Sequence, residues 1–124
     1  MVPMEPAWTS IGCRVVQVMV STRDHAESVR FYSEVFDLAF DPDTSSFLLG
    51  AWATDSFFLL TVENWLDAGT PSSFGMLVDD VDARHRRALE HGATEVSLPT
   101  DYGWKPRSSV IDDPSGNRIQ LSQA

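Results

Sequence analysis

The sequence predicts an α+β fold built from two βαβββ modules. Three observations carry that expectation. Two segments have the periodicity of amphipathic helices, and each is opened by an aspartate in the N-cap position, Asp24 and Asp80. Each helix is preceded by a strand-like stretch and followed by further strand-like stretches. Between the two sets, "LDAGTPSS" breaks the pattern, which then restarts. Aligning the two caps gives an offset of 56 (80 − 24), and an internal repeat of this kind constrains a fold more than any single motif.

The elements follow in order. "CRVVQVMV" at 13–20 is rich in β-branched residues and reads as a strand. Both of its faces are largely apolar, with Gln17 the polar exception, so it is expected in the centre of a sheet. A helix is expected over about 25–36, because Val29, Tyr32, Val35 and Phe36 recur at helical spacing. Glu27 stands three residues after Asp24, the capping-box spacing. "FDPDTSS" reads as a loop, and "FLLGAW" and "SFFLLTVEN" as strands joined through "ATD". In the second half, "SSFGMLV" is a strand and "DDVDARHRRALEHG" a helix stopped by Gly92. "ATEVSLPT", "RSSVID" and "RIQLSQ" are strands, the last entered through the turn "DPSGN". The expected organisation is one domain over 1–124, with module one at about 13–66 and module two at about 72–122.

Composition bounds the function. A chain of 124 residues, 43% hydrophobic and 22% charged, has the make-up of one folded domain with a buried core. Its apolar stretches are all broken within ten residues, so no membrane-crossing segment is expected. "MVPMEPAWTS" has neither a basic start nor an apolar stretch, which argues against a secretory signal. Cys13 is alone, which excludes an intrachain disulfide and a cysteine-based zinc site, and it has no pair of basic neighbours that would mark a nucleophile. A cytoplasmic location is expected. The net charge of −9 disfavours a nucleic-acid partner and favours cationic ligands, although acidity also serves solubility.

The stretches "VMVSTRDHAESVRFYSEVF", "MLVDDVDARHRRALEHGA" and "DDPSGNRIQL", in this order and with the repeat, resemble the glyoxalase/bleomycin resistance/extradiol dioxygenase family, the vicinal oxygen chelate (VOC) superfamily. The resemblance covers about residues 13–122. It implies two curled mixed sheets around a groove. In enzymatic members a divalent metal in that groove is held by His or Gln and by Glu, from the first and last strand of each module. There it supports isomerisation, epimerisation, ring opening or addition. Other members hold no metal and sequester a drug, often as dimers with the ligand at the subunit interface.

Carried over by the two helix and strand alignments, the four metal positions fall on Gln17, Leu60, Ser73 and Gln120. Leu60 has no donor atom, Ser73 is a weak one, and Gln120 keeps the length of a Glu without its charge. A divalent cation in a protein is ordinarily held by carboxylates, imidazoles or thiolates. None of the three histidines, His25, His85 and His91, is on a predicted strand, so surface or packing roles are expected for all three. One route to a metal remains: Glu63, turned inward by a slipped register or bulge, would complete a non-standard shell of Gln17, Glu63 and Gln120.

Strand alternation gives the expected groove lining. Ile119 and Leu121 should pack on a helix, leaving Arg118, Gln120 and Ser122 in the groove. Ser73, Gly75 and Leu77 should face in, as should Phe58, Leu60 and Val62, and Val15, Gln17 and Met19. Among the loop aromatics, Trp8 and Trp65 are read as covering sheet ends or a dimer interface. Trp52 and Trp104 are open between that role and the groove rim, which "DYGWKPR" would form. Arg107 either meets a ligand carboxylate or pairs with Asp101 or Asp112. The expectation is a homodimeric small-molecule binding protein that needs no cofactor. The alternative is a metal-dependent lyase, isomerase or dioxygenase using the non-standard shell.

Overall fold

A computed structural model describes residues 15–50, 58–62 and 70–124. The elements are β1 (Gln17–Val20), α1 (His25–Phe36), β2 (Phe40–Asp41), β3 (Ser46–Leu49), β4 (Phe58–Val62), β5 (Ser73–Val78), α2 (Val81–Glu90), β6 (Thr94–Thr100), β7 (Ser108–Asp112) and β8 (Arg118–Gln123). Both halves thus read βαβββ. The strand not foreseen in the first half is β2, two residues inside the stretch read as a loop.

Both helices start where their aspartates place them. Asp24 and Asp80 are extended, and their carboxylates accept from the backbone N–H of Glu27 and Ala83, each at 3.1 Å. The reciprocal half of a capping box does not form at Asp24. The Glu27 carboxylate pairs with Arg23 at 3.2 Å, and the Asp24 N–H donates to the Thr22 hydroxyl. The second helix closes at His91, and Gly92 turns the chain at φ 98°, a conformation that favours glycine.

The strands form two four-stranded sheets, ordered β1-β4-β3-β2 and β5-β8-β7-β6. In each, the first strand pairs parallel with the last and the other pairings are antiparallel. The first strand is therefore at an edge, against the expectation of a central one. Its two apolar faces have another cause. Val18 and Val20 pack toward the core, while Val15, 80% exposed, and Met19 belong to the face away from α1.

One buried cluster runs through both halves. It includes Val20, Phe47, Leu60 and Val62 from the first sheet, Ile111, Ile119 and Leu121 from the second, and Phe31, Tyr32, Val35, Val81 and Ala88 from the helices. The halves are also joined by polar contacts at a seam. Buried Asn117 accepts from the N–H groups of Ser21 (3.2 Å) and Ser72 (2.8 Å) and donates to the Ser21 carbonyl (2.6 Å). It also donates to the carboxylate of Asp113, which takes the Tyr32 hydroxyl at 2.6 Å. Burial, and then the neighbouring Asp113 charge, push the Tyr32 phenol well above its usual pKa. The helices meet through Arg84, which donates to the Val35 carbonyl and to Asp37 and Asp79. His91 pairs with Glu34 at 2.8 Å.

Candidate functional site: the open sheet faces

Each sheet packs one face on a helix and leaves the other open, so alternation decides which side chains a ligand would meet. In the second half the sequence reading holds. Ile119 and Leu121 are fully buried, whereas Ser73, Leu77, Arg118 and Gln120 are exposed. In the first half Gln17 is exposed, as expected, and Met19 is half-buried.

The last strand of the first half is a correction. Leu60 is 2% exposed and Val62 fully buried, both within the core. They face the helix, and half-buried Phe58 shares their side of the strand by alternation. Register explains the error. Gln17 lies beside Leu59 across the β1/β4 ladder, and Ser73 beside Arg118 across the β5/β8 ladder. The offset between the last strands is therefore 59 (118 − 59), one less than the sequence alignment assumed. A one-residue slip flips every side chain to the opposite face. The residue equivalent to Gln120 is Thr61, and the four positions are Gln17, Thr61, Ser73 and Gln120.

These residues sit in two similar hydrogen-bond relays. The Gln17 side-chain amide donates to Thr61 Oγ1 at 2.7 Å. Thr61 Oγ1 and Ser46 Oγ are 2.7 Å apart, and Ser46 donates to the Thr44 carbonyl at 2.9 Å. With the Ser46 hydrogen so committed, Thr61 is the donor between them. In the other half Gln120 Nε2 lies 3.5 Å from Ser122 Oγ, which is 3.2 Å from Ser108 Oγ, and Ser108 donates to the Pro106 carbonyl at 2.8 Å. Both relays run from an amide N–H through two hydroxyls to a backbone carbonyl. The 2.7 Å bond holds the Gln17 amide and leaves its carbonyl to accept from a ligand, whereas 3.5 Å is too long to fix the amide of exposed Gln120. Sequence reasoning missed Thr61, Ser46 and Ser108. The signal available for Thr61 was that it is the one polar residue in "FFLLTV".

The donor set does not suit a divalent cation. Gln17, Thr61, Ser73 and Gln120 are all neutral, and the Thr61 hydroxyl is already shared by Gln17 and Ser46. Among the described residues no group of three or more His, Cys, Asp or Glu side chains could hold a metal. Glu63 and Trp52, both named as candidates, lie outside the described residues, as do Trp8, Cys13 and Trp65.

The remaining candidates separate. Trp104 is 80% exposed on the loop between β6 and β7. Arg107, at the end of that loop, makes a two-pronged contact with Asp82 through Nε and Nη2, each at 2.8 Å, and meets Asp101 at 3.2 Å. The expected Asp101 pairing is present, whereas Asp112 pairs with Arg118 instead. These contacts hold the Asp82 carboxyl below the usual aspartate range and push the guanidinium up. His85 is buried between Ser109 (2.9 Å) and Glu95 (2.7 Å), a packing role as expected. His25 bonds Ser45.

A family model described as a glyoxalase-like domain matches residues 17–122. A glyoxalase-related enzyme from Fulvimarina pelagi superposes with a TM-score of 0.70 at 16% identity, covering 90% of this chain and 88% of that one. TnmS3, an antibiotic binding protein from Streptomyces sp. CB03234, gives a TM-score of 0.61 at 26% identity over 91% of this chain and 97% of that one. An uncharacterized protein of Mycobacterium tuberculosis is 44% identical over 55 residues, which is 44% of this chain and only 32% of the relative.

Proposed function

The chain belongs to the glyoxalase-like domain family, and on that premise we propose that it is a small-molecule binding protein of the glyoxalase/bleomycin-resistance type that works without the family's metal. One observation carries the reading. The residues that align with the family's metal-ligand positions, Gln17, Thr61, Ser73 and Gln120, are all neutral, and the Gln17 amide is held on the Thr61 hydroxyl at 2.7 Å. A neutral set of this kind suits an organic ligand, with apolar neighbours such as Met19 and Leu77 supplying burial. The likeness to TnmS3, an antibiotic binding protein, supports a holding role. The acidic balance supports a cationic or neutral ligand over nucleic acid.

The same reading takes the protein as a cytoplasmic homodimer. Among the described residues no helix is long and apolar enough to cross a membrane. Val15, Leu77 and Leu98 are 80%, 73% and 64% exposed, which supports a second copy covering part of the open faces.

A thermal-shift screen on chelator-treated protein tests the proposal, using cationic glycopeptide and planar antibiotics, quinones and acyl thioesters. The expected result is stabilisation by an organic compound that is lost in Gln17→Ala and Gln120→Ala. Stabilisation by divalent metals alone would overturn it and support the alternative, a metal-dependent lyase, isomerase or dioxygenase using Gln17, Glu63 and Gln120.

A further inference from the structure

The loop at 101–107, "DYGWKPR", is tied at its base and open at its tip. Arg107 at one end pairs with Asp101 at the other and is anchored on Asp82 in the first turn of α2. The Arg107 carbonyl also accepts from the Gln123 N–H at 2.9 Å. Between these ties, Gly103 adopts φ 79°, which reverses the chain between two aromatic residues. The Tyr102 and Trp104 rings stand 6.3 Å apart at an interplanar angle of 63°. The Lys105 ammonium lies over both, 4.3 Å from the Tyr102 centroid and 5.2 Å from that of Trp104. Two rings at an angle with one ammonium between them make a small aromatic clasp, the arrangement by which proteins hold alkylammonium groups.

We propose that Tyr102 and Trp104 form a binding site for an organic cation and that Lys105 is a built-in occupant which the ligand's ammonium displaces. Three features argue for a ligand site over a purely structural contact. Trp104 is 80% exposed, so the clasp is accessible and stabilises little by burial. Among the described residues Lys105 forms no ion pair, Asp101 and Asp82 being taken by Arg107, so its ammonium leaves without breaking the loop's ties. The net charge of −9 favours cations near the surface. The loop joins β6 to β7, and Ser108, the first residue of β7, lies 3.2 Å from the Ser122 hydroxyl on the same strand as Gln120. This rests on the small-molecule reading above and sharpens it: the ligand it favours carries an organic ammonium group.

The test follows the Trp104 indole N–H by NMR while choline or its neutral carbon analogue, 3,3-dimethylbutan-1-ol, is added. Choline should shift the resonance saturably and the alcohol should not. Lys105→Met, which removes the competing ammonium, should bind choline about two- to fivefold more tightly. Tyr102→Leu should abolish saturation while leaving the rest of the spectrum native. Equal response to both probes, or no gain in Lys105→Met, would overturn the clasp. Neither result touches the groove reading, whose own test is loss of ligand stabilisation in Gln17→Ala and Gln120→Ala.

Discussion

The seam between the two modules and the open faces of the two sheets use polar residues in opposite ways. At the seam, charge is buried and paired. Asp113 is 4% exposed and takes hydrogen bonds from Tyr32, Asn117 and Ser115. Arg84 spans from the end of α1 to the turn before α2. On the open faces the positions available to a metal are neutral amides and hydroxyls, and the one described ion pair there, Arg118–Asp112, neutralises itself. The chain therefore places a buried carboxylate where it joins modules and none at Gln17, Thr61, Ser73 or Gln120. Charge is costly to bury and is kept where every lone pair finds a partner. On the open faces a neutral glutamine carbonyl stays available to accept from a ligand.

The sharpest way to break this contrast is at the seam. Asn117→Ala removes a donor from the Asp113 carboxylate and strands the backbone groups of Ser21 and Ser72. A loss of about 3–5 kcal/mol in urea unfolding is expected, because a buried charge is left underpaired. A loss below 1 kcal/mol, on the order of a surface contact, would mean the seam is not what joins the modules. The next effect tests the corrected register. Leu60→Ala should cost about 2–5 kcal/mol as a core cavity, whereas Thr61→Val should cost about 1 kcal/mol and abolish ligand stabilisation. The reverse order would return Leu60 to the open face.

The smallest effect is the pH dependence of stability. Hydrogen bonds from Arg84 lower the Asp37 and Asp79 pKa values below the ordinary 3.8. Their contribution is present above that value and is lost as pH falls through the lower folded values. Burial raises the Tyr32 phenol above 10.0, so its contribution is present below that pH and is lost as pH rises beyond it. The urea midpoint should be flat between about pH 5 and 9 and fall on both sides. In Tyr32→Phe the alkaline fall should weaken.

Much of this was legible in the sequence where local chemistry decides. Asp24 and Asp80 announced both helix starts, and the repeat gave the two modules. Alternation placed Gln120 correctly because "RIQLSQ" alternates polar and apolar residues. It failed at Leu60 because "FFLLTV" is apolar on both faces and carries no period to anchor a register. The edge position of β1 was hidden for the same reason. The seam was not legible at all: Asp113 and Asn117 read as turn residues, and only the fold brings Tyr32 and Ser21, 81 and 96 residues away, against them. Arg107 shows the same limit, since its partner Asp82 sits 25 residues earlier on a helix.

The central claim is that the open faces hold an organic ligand through neutral amides and hydroxyls and not through a metal. Elemental analysis of the protein purified without chelator, at neutral pH, tests it most directly. The account predicts divalent metal far below one ion per chain, with no stabilisation on adding Ni, Zn, Mn or Fe. A near-stoichiometric metal content that is lost in Gln17→Ala and Gln120→Ala would contradict it.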